Sequence, residues 1–183
     1  MNNVPLPPHV PSEELLSRFE YLGSASTFID DIQEIVKKSL SIFEGFNRQE
    51  STLLCDYMEC YGAPSRSVVL KEADLGDFLI IILTGKVHIT KRADNGAETI
   101  VGEVGPGGFL GEMSLFDGRH RFASCITSEP TDFAVLTRDQ LNEILIDHPR
   151  LGNKLLLILL QSMTERLRDA TQRMLPAIIG TAI

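Results

Sequence analysis

The chain has 183 residues, 43% of them hydrophobic, and its 25 acidic and 17 basic side chains give a formal net charge of −8. That length can bury a core without disulfides or metal, and the acidic balance disfavours bulk binding to DNA or RNA phosphates unless a local basic patch outweighs it. Cys55, Cys60 and Cys125 cannot all pair internally, no basic-then-apolar leader opens the chain, and the longest apolar runs, Phe78 to Leu83 and Leu155 to Leu160, have six residues each, where a membrane span needs about 20. A soluble protein of the reducing cytoplasm, with no membrane partner, is expected.

Residues 1–12 carry Pro5, Pro7, Pro8 and Pro11, which predicts a flexible arm without chemistry. From 13 to 62 the pattern is helical: Leu15, Leu16 and Phe19, then Phe28, Ile32 and Ile35, then Leu40, Phe43 and Phe46 recur at helix spacing. Three or four short helices are expected. Asn47 and Glu50 form a capping-box pattern that opens the last of them, expected to run to about Tyr61. From 63 to 137 short apolar runs alternate with glycines: Val68 to Leu70, Phe78 to Leu83, Val87 to Thr90, Thr99 to Val104, Cys125 to Thr127 and Phe133 to Leu136. Asn95-Gly96 supplies a tight hairpin turn, and strands this short predict a barrel or jelly roll, since a flat sheet of them would leave long edges unpaired.

Residues 138–175 return to helix. Leu141, Ile144 and Leu145 make a short amphipathic element interrupted at His148-Pro149. In the long helix that follows, Leu156, Leu160, Met163, Leu167, Ala170 and Met174 alternate four and three apart, a coiled-coil seam suited to a second copy of the chain. Leu155, Leu157, Ile158 and Leu159 face elsewhere, as in a helix lying on its own barrel, and both packings can hold at once. Pro176 is expected to end this helix, leaving 176–183 as a tail.

One segment carries chemistry: Gly105 to Cys125, reading GPGGFLGEMSLFDGRHRFASC. Its glycines allow close backbone approach to a ligand, and Glu112 to Phe116 can form one helical turn whose free N–H groups suit an anion. A carboxylate beside an anion is repulsive unless it accepts a hydrogen bond from a hydroxyl of the same ligand, so Glu112 points to a sugar bearing a phosphate. Arg121, on the following strand, supplies the compensating charge and a two-pronged donor. The plain alternative is a surface ion pair between Glu112 and Arg121, worth about 0–1 kcal/mol.

From Val68 through Met174 the order of elements resembles the cyclic nucleotide-binding domain family, which includes catabolite activator protein-like and protein kinase A regulatory subunit-like members. Gly111-Glu112, the short run Met113 to Phe116 and Arg121-Phe122-Ala123-Ser124-Cys125 match the order of that family's phosphate-binding cassette, and LTGKVHI at Leu83 to Ile89 is similar to its strand, glycine turn, strand signature. The resemblance implies an α+β, mainly β fold: a jelly-roll β-barrel with N-terminal helices and a long C-terminal helix. It implies that Glu112 holds a ribose 2′-hydroxyl, Arg121 an exocyclic phosphate oxygen, and the amides of Met113 and of Ala123 or Phe122 the remainder, with Leu110 and Val101 walling the base. On the long helix it places Thr171, just after Ala170, at the purine, and Arg166 beside Glu112. Two features depart from the family pattern. Phe122 stands where a small or hydroxyl residue is usual, a ring able to fill part of the phosphate pocket. The loop from Glu112 to Arg121 is one residue shorter than in the activator branch, with His120 as a second donor.

The chain ends seven residues beyond Pro176, so the DNA-binding domain of activator-type regulators is not expected. Nor is an enzyme or a metal centre. Cys55 and Cys60 sit five apart on an expected helix, none of His9, His88, His120 and His148 is near another in sequence, Ser114 and Ser124 suit bonds to nearby backbone, and Asp117-Gly118 reads as a turn. Two functions remain: a non-enzymatic sensor of cyclic AMP, or less favourably cyclic GMP, without other cofactor, or a ligand-free dimeric scaffold whose pocket Phe122 occupies. Either acts through a protein partner that the sequence does not identify. The acidic N-terminal part, with ten acidic and four basic side chains in residues 1–60, offers that partner a surface, although such a face is also simply solvated.

Overall fold

A computed structural model describes residues 15–30, 46–93 and 96–180, with side chains through 175. The expected arm at 1–12, the positions Ile32, Ile35, Leu40 and Phe43, and Asn95 of the hairpin turn lie outside the described residues. Gly96 has φ +82°, the left-handed backbone such a turn needs.

Among the described residues nine strands form two antiparallel sheets. They are β1 (Glu20–Ser24), β2 (Glu59–Ala63), β3 (Val68–Leu70), β4 (Phe78–Ile82), β5 (Val87–Arg92), β6 (Glu98–Val104), β7 (Phe109–Leu110), β8 (Ser124–Thr127) and β9 (Thr131–Thr137). One sheet runs β1-β2-β9-β4-β7 and the other β3-β8-β5-β6. The helices are a 3₁₀ turn (Ala25–Phe28), α1 (Arg48–Asp56), α2 (Glu112–Asp117), α3 (Arg138–Asp147) and α4 (Pro149–Gly180).

The six apolar runs from Val68 to Leu136 all become strands. β4 explains why a barrel strand can be apolar at every position. Phe78, Ile80 and Ile82 point into the core between the sheets with Leu70, Val87, Leu110 and Phe133, whereas Leu79 and Ile81 join Leu54, Met58, Ile144, Leu155 and Leu159 beneath the helices. A strand covered on both faces reads as a continuous run.

Three expectations are corrected. The stretch Glu20–Ser24 is a strand, because Tyr21 and its neighbours pair with β2, and Gly23 (φ +108°) sits at a register shift in that pairing. The capping-box helix begins as expected, with Asn47 Oδ1 accepting from Glu50 N and Glu50 Oε2 from Asn47 N, both at 2.9 Å. It ends at Asp56, since Glu59–Ala63 pairs with β9 over its whole length, so Cys60 lies on a strand. Finally, α4 continues past Pro176 to Gly180. A proline inside a helix gives up one backbone bond and crowds the carbonyl four residues earlier, which bends or weakens the helix without having to end it.

Candidate phosphate-binding cassette

The site begins where β7 pairs with β4, Leu110 opposite Ile80 and Phe109 opposite Ile81. The chain then turns sharply at Gly111, whose φ of +86° is left-handed and whose absent Cβ would stand 2.5 Å from Arg121 Nη1. Gly111 caps the N-terminus of α2 without a side-chain hydrogen bond. The opposite end is closed by Gly118 (φ +67°) and by Arg138, which donates from Nε to Leu115 O and from Nη2 to Ser114 O, each at 2.9 Å. Arg138 thus satisfies the Leu115 carbonyl and shares Ser114 O with the Gly118 amide.

Two charged side chains are buried here, Glu112 at 3% exposure and Arg121 at 5%. They do not pair with each other, contrary to the plain alternative. Arg121 Nη1 donates to Gly111 O at 2.8 Å and Nη2 to Phe78 O at 2.7 Å, while the guanidinium carbon lies 4.7 Å from the centre of the Phe78 ring. Its backbone is fixed as well, with Arg121 N on Asp74 O and Ala73 N on Arg121 O. Burial pulls the guanidinium down to about 10, against the opposing influence of nearby acidic groups such as Asp77, Glu112 and Asp74. It stays charged at neutral pH. Glu112 Oε1 accepts from Arg166 Nη1 at 2.7 Å, and Arg166 Nη2 donates to Phe109 O. A buried cation held by carbonyls, next to a buried carboxylate with an oxygen to spare, has the donors and acceptors to take an anion and a hydroxyl together.

The structure therefore brings Gly111, Glu112, Arg121 and Arg166 together. Leu110 is buried against the barrel core. Val101 is exposed on β6, and Arg173 Nη1 reaches its carbonyl at 3.1 Å from α4. The Met113 side chain is exposed. Thr171 does not join the cluster: it is exposed and its hydroxyl donates to Leu167 O on its own helix at 2.8 Å. Ala123 is half-buried. The expectation that Phe122 fills the pocket is corrected, because its ring is 64% exposed and lies under Lys91 Nζ, 4.3 Å away. His120 is half-buried, and its Nε2 has no hydrogen-bond partner among the described residues.

Sequence reasoning missed Gly76, Phe78, Phe109, Lys91 and Arg138. Phe78 and Phe109 contribute carbonyls, which no side-chain pattern marks. Gly76 gives way to the guanidinium, and its signal is an isolated glycine just before a strand. Ser124 Oγ accepts from Glu72 N at 2.9 Å, 52 residues away in sequence, and Asp117 Oδ1 from Arg119 N at 2.9 Å in the expected turn. All three cysteines are buried, which pushes each thiol up to about 12.

Residues 63–148 match the model of the cyclic nucleotide-binding domain. A solved cyclic nucleotide-binding domain from Methylobacillus flagellatus is 45% identical, over 87% of this chain and 89% of that one, with a TM-score of 0.79. The chain belongs to the cyclic nucleotide-binding domain family. It is also similar to a CRP-like cAMP-activated global transcriptional regulator of Mycobacterium tuberculosis, 31% identical over 70% of this chain and 57% of the regulator. The regulatory domain of Toxoplasma gondii PKA, solved with cAMP, is 25% identical over 64% of this chain and 44% of that chain, with a TM-score of 0.56. The chain spans little more than half the length of the mycobacterial regulator. The Gly111-Glu112 turn and Arg121 lie between β7 and β8. No helix among the described residues is long and apolar enough to cross a membrane, and no cluster of metal-ligating side chains occurs among them.

Proposed function

We propose that the chain is a non-enzymatic, cytoplasmic sensor of a cyclic nucleotide, with cyclic AMP preferred to cyclic GMP. One observation carries this reading: Glu112 and Arg121 are both buried at one turn, unpaired with each other, and α4 reaches the same carboxylate through Arg166. In this reading the cyclic phosphate takes the donors that remain on Arg121 together with the amides of Met113 and of Ala123 or Phe122. The ribose hydroxyl bonds to Glu112, and Leu110 and Val101 flank the base. The preference for cyclic AMP draws on the mycobacterial and Toxoplasma relatives, whose names refer to cAMP.

A ligand hydroxyl at Glu112 shares the carboxylate with Arg166, so occupancy is felt by α4, and Thr171 meets the purine only once α4 has moved. Leu160, Leu167 and Met174 are exposed along α4, which supports a homodimer through that stripe and a signal passed to a protein partner. A second reading, the ligand-free scaffold, draws on the fact that both terminal nitrogens of Arg121 already bond to protein carbonyls. The outward Phe122 ring counts against the version in which it blocks the pocket.

Titration calorimetry of nucleotide-stripped protein decides between them. Micromolar or tighter binding of cyclic AMP, weaker for cyclic GMP, is expected; no heat from either supports the scaffold.

A further inference from the structure

Lys91 on β5 stands where the strand after Arg121 begins. Its Nζ donates to Glu72 Oε1 at 2.6 Å and to the carbonyl oxygen of Phe122, and it lies over the Phe122 ring. Two hydrogen bonds and the ring contact thereby hold the ammonium in place. Glu72 is itself fixed, since its Oε2 accepts from Arg92 N at 3.2 Å and its N–H donates to Ser124 Oγ. Phe122 and Ser124 are thus anchored on either side of Ala123, Ser124 also through its pairing with Thr90 on β5.

The peptide joining Phe122 to Ala123 is trans. In a planar trans peptide the C=O and N–H point opposite ways. Holding the Phe122 carbonyl on Lys91 therefore aims the Ala123 N–H away from Lys91. The same ammonium attracts the face of the aromatic ring, which keeps a bulky side chain turned outward.

We propose that Lys91 is a positioning residue of the nucleotide site: it orients the Phe122–Ala123 peptide so that the Ala123 N–H meets the phosphate, and it holds the Phe122 ring out of the pocket. This rests on the reading of Glu112 and Arg121 as the nucleotide site. It explains how the chain carries phenylalanine next to its cassette arginine: the ring has a dedicated cation outside.

The test uses the full chain with cyclic AMP as probe. Lys91→Met keeps the aliphatic stem and removes the ammonium, and it is expected to raise Kd by about tenfold or more. Lys91→Arg should restore most of the affinity. In a Phe122→Ser background Lys91→Met should cost less, because no ring remains to swing inward. Equal affinity of Lys91→Met and the unaltered chain overturns the proposal. Should the unaltered chain bind no cyclic AMP, the reading of the site has failed, and hydrogen exchange at the Ala123 amide decides the role of Lys91 by itself. Altered exchange in Lys91→Met supports positioning; unchanged exchange overturns it.

Discussion

Gly76 shows how tightly the Arg121 guanidinium is enclosed. A Cβ at Gly76 would stand 2.1 Å from the guanidinium carbon and 2.2 Å from Nε, and the group cannot step aside without losing its bonds to the Phe78 and Gly111 carbonyls. Gly76→Ala is therefore expected to destabilise the fold by about 1–3 kcal/mol, the usual cost of overpacking, and to weaken cyclic AMP binding by displacing Arg121. Urea melts and calorimetry on the same variant check both, and unchanged values in both contradict this geometry. At this scale the sequence showed the charged partners and hid their supports. Glu112, Arg121 and Arg166 could be found because their side chains carry the chemistry in a recognisable order. Phe78 and Phe109 act through carbonyls, and Gly76 through what it lacks. Lys91 lies about 30 positions from Phe122, a contact that only the pairing of β5 with β8 creates.

Among the elements, α4 does two jobs on different faces. Leu151, Leu155, Ile158 and Leu159 are buried against the sheet and α1, whereas Leu160, Leu167 and Met174 are exposed. Leu157, expected on the barrel face, is exposed too. Near its start α4 is tied to α1 by Lys154, whose Nζ lies 2.7 Å from both oxygens of Glu50. This ion pair, with the amide of Asn47, holds the Glu50 carboxyl below its ordinary range. Any stability it adds is present at neutral pH and lost as acid protonates Glu50; part exposure keeps the pair to about 1 kcal/mol or less. Leu167→Glu places a charge on the exposed stripe at little cost to the monomer. It is expected to convert a dimer to a monomer in sedimentation velocity with an unchanged circular dichroism spectrum, and an unaltered mass would refute the seam. Six of the strands from Val68 onward were legible because apolar runs alternate with glycine, whereas β7, only Phe109–Leu110, was not. β1 and β2 were not, because Glu20–Ser24 and Glu59–Ala63 become strands by pairing with each other and with β9, and their local pattern also suits a helix.

Over the whole molecule, a net charge of −8 opposes the approach of an anionic ligand, so affinity must come from short-range donors in a desolvated turn. The fold provides these by closing two sheets over one core and covering the five-stranded sheet with helices. The helix that completes the second core, α4, also delivers Arg166 to Glu112. One element thereby joins the site, the hydrophobic core and the exposed stripe, the arrangement a sensor needs to turn occupancy into a change of surface. The central claim is that Arg121 is the anion anchor of a cyclic nucleotide site. Calorimetric titration of cyclic AMP into Arg121→Ala beside the unaltered chain tests it most directly. Loss of the charge-assisted bonds is expected to weaken binding by at least about 1.5–3 kcal/mol, while equal affinity of the two proteins would place the ligand elsewhere and contradict the account.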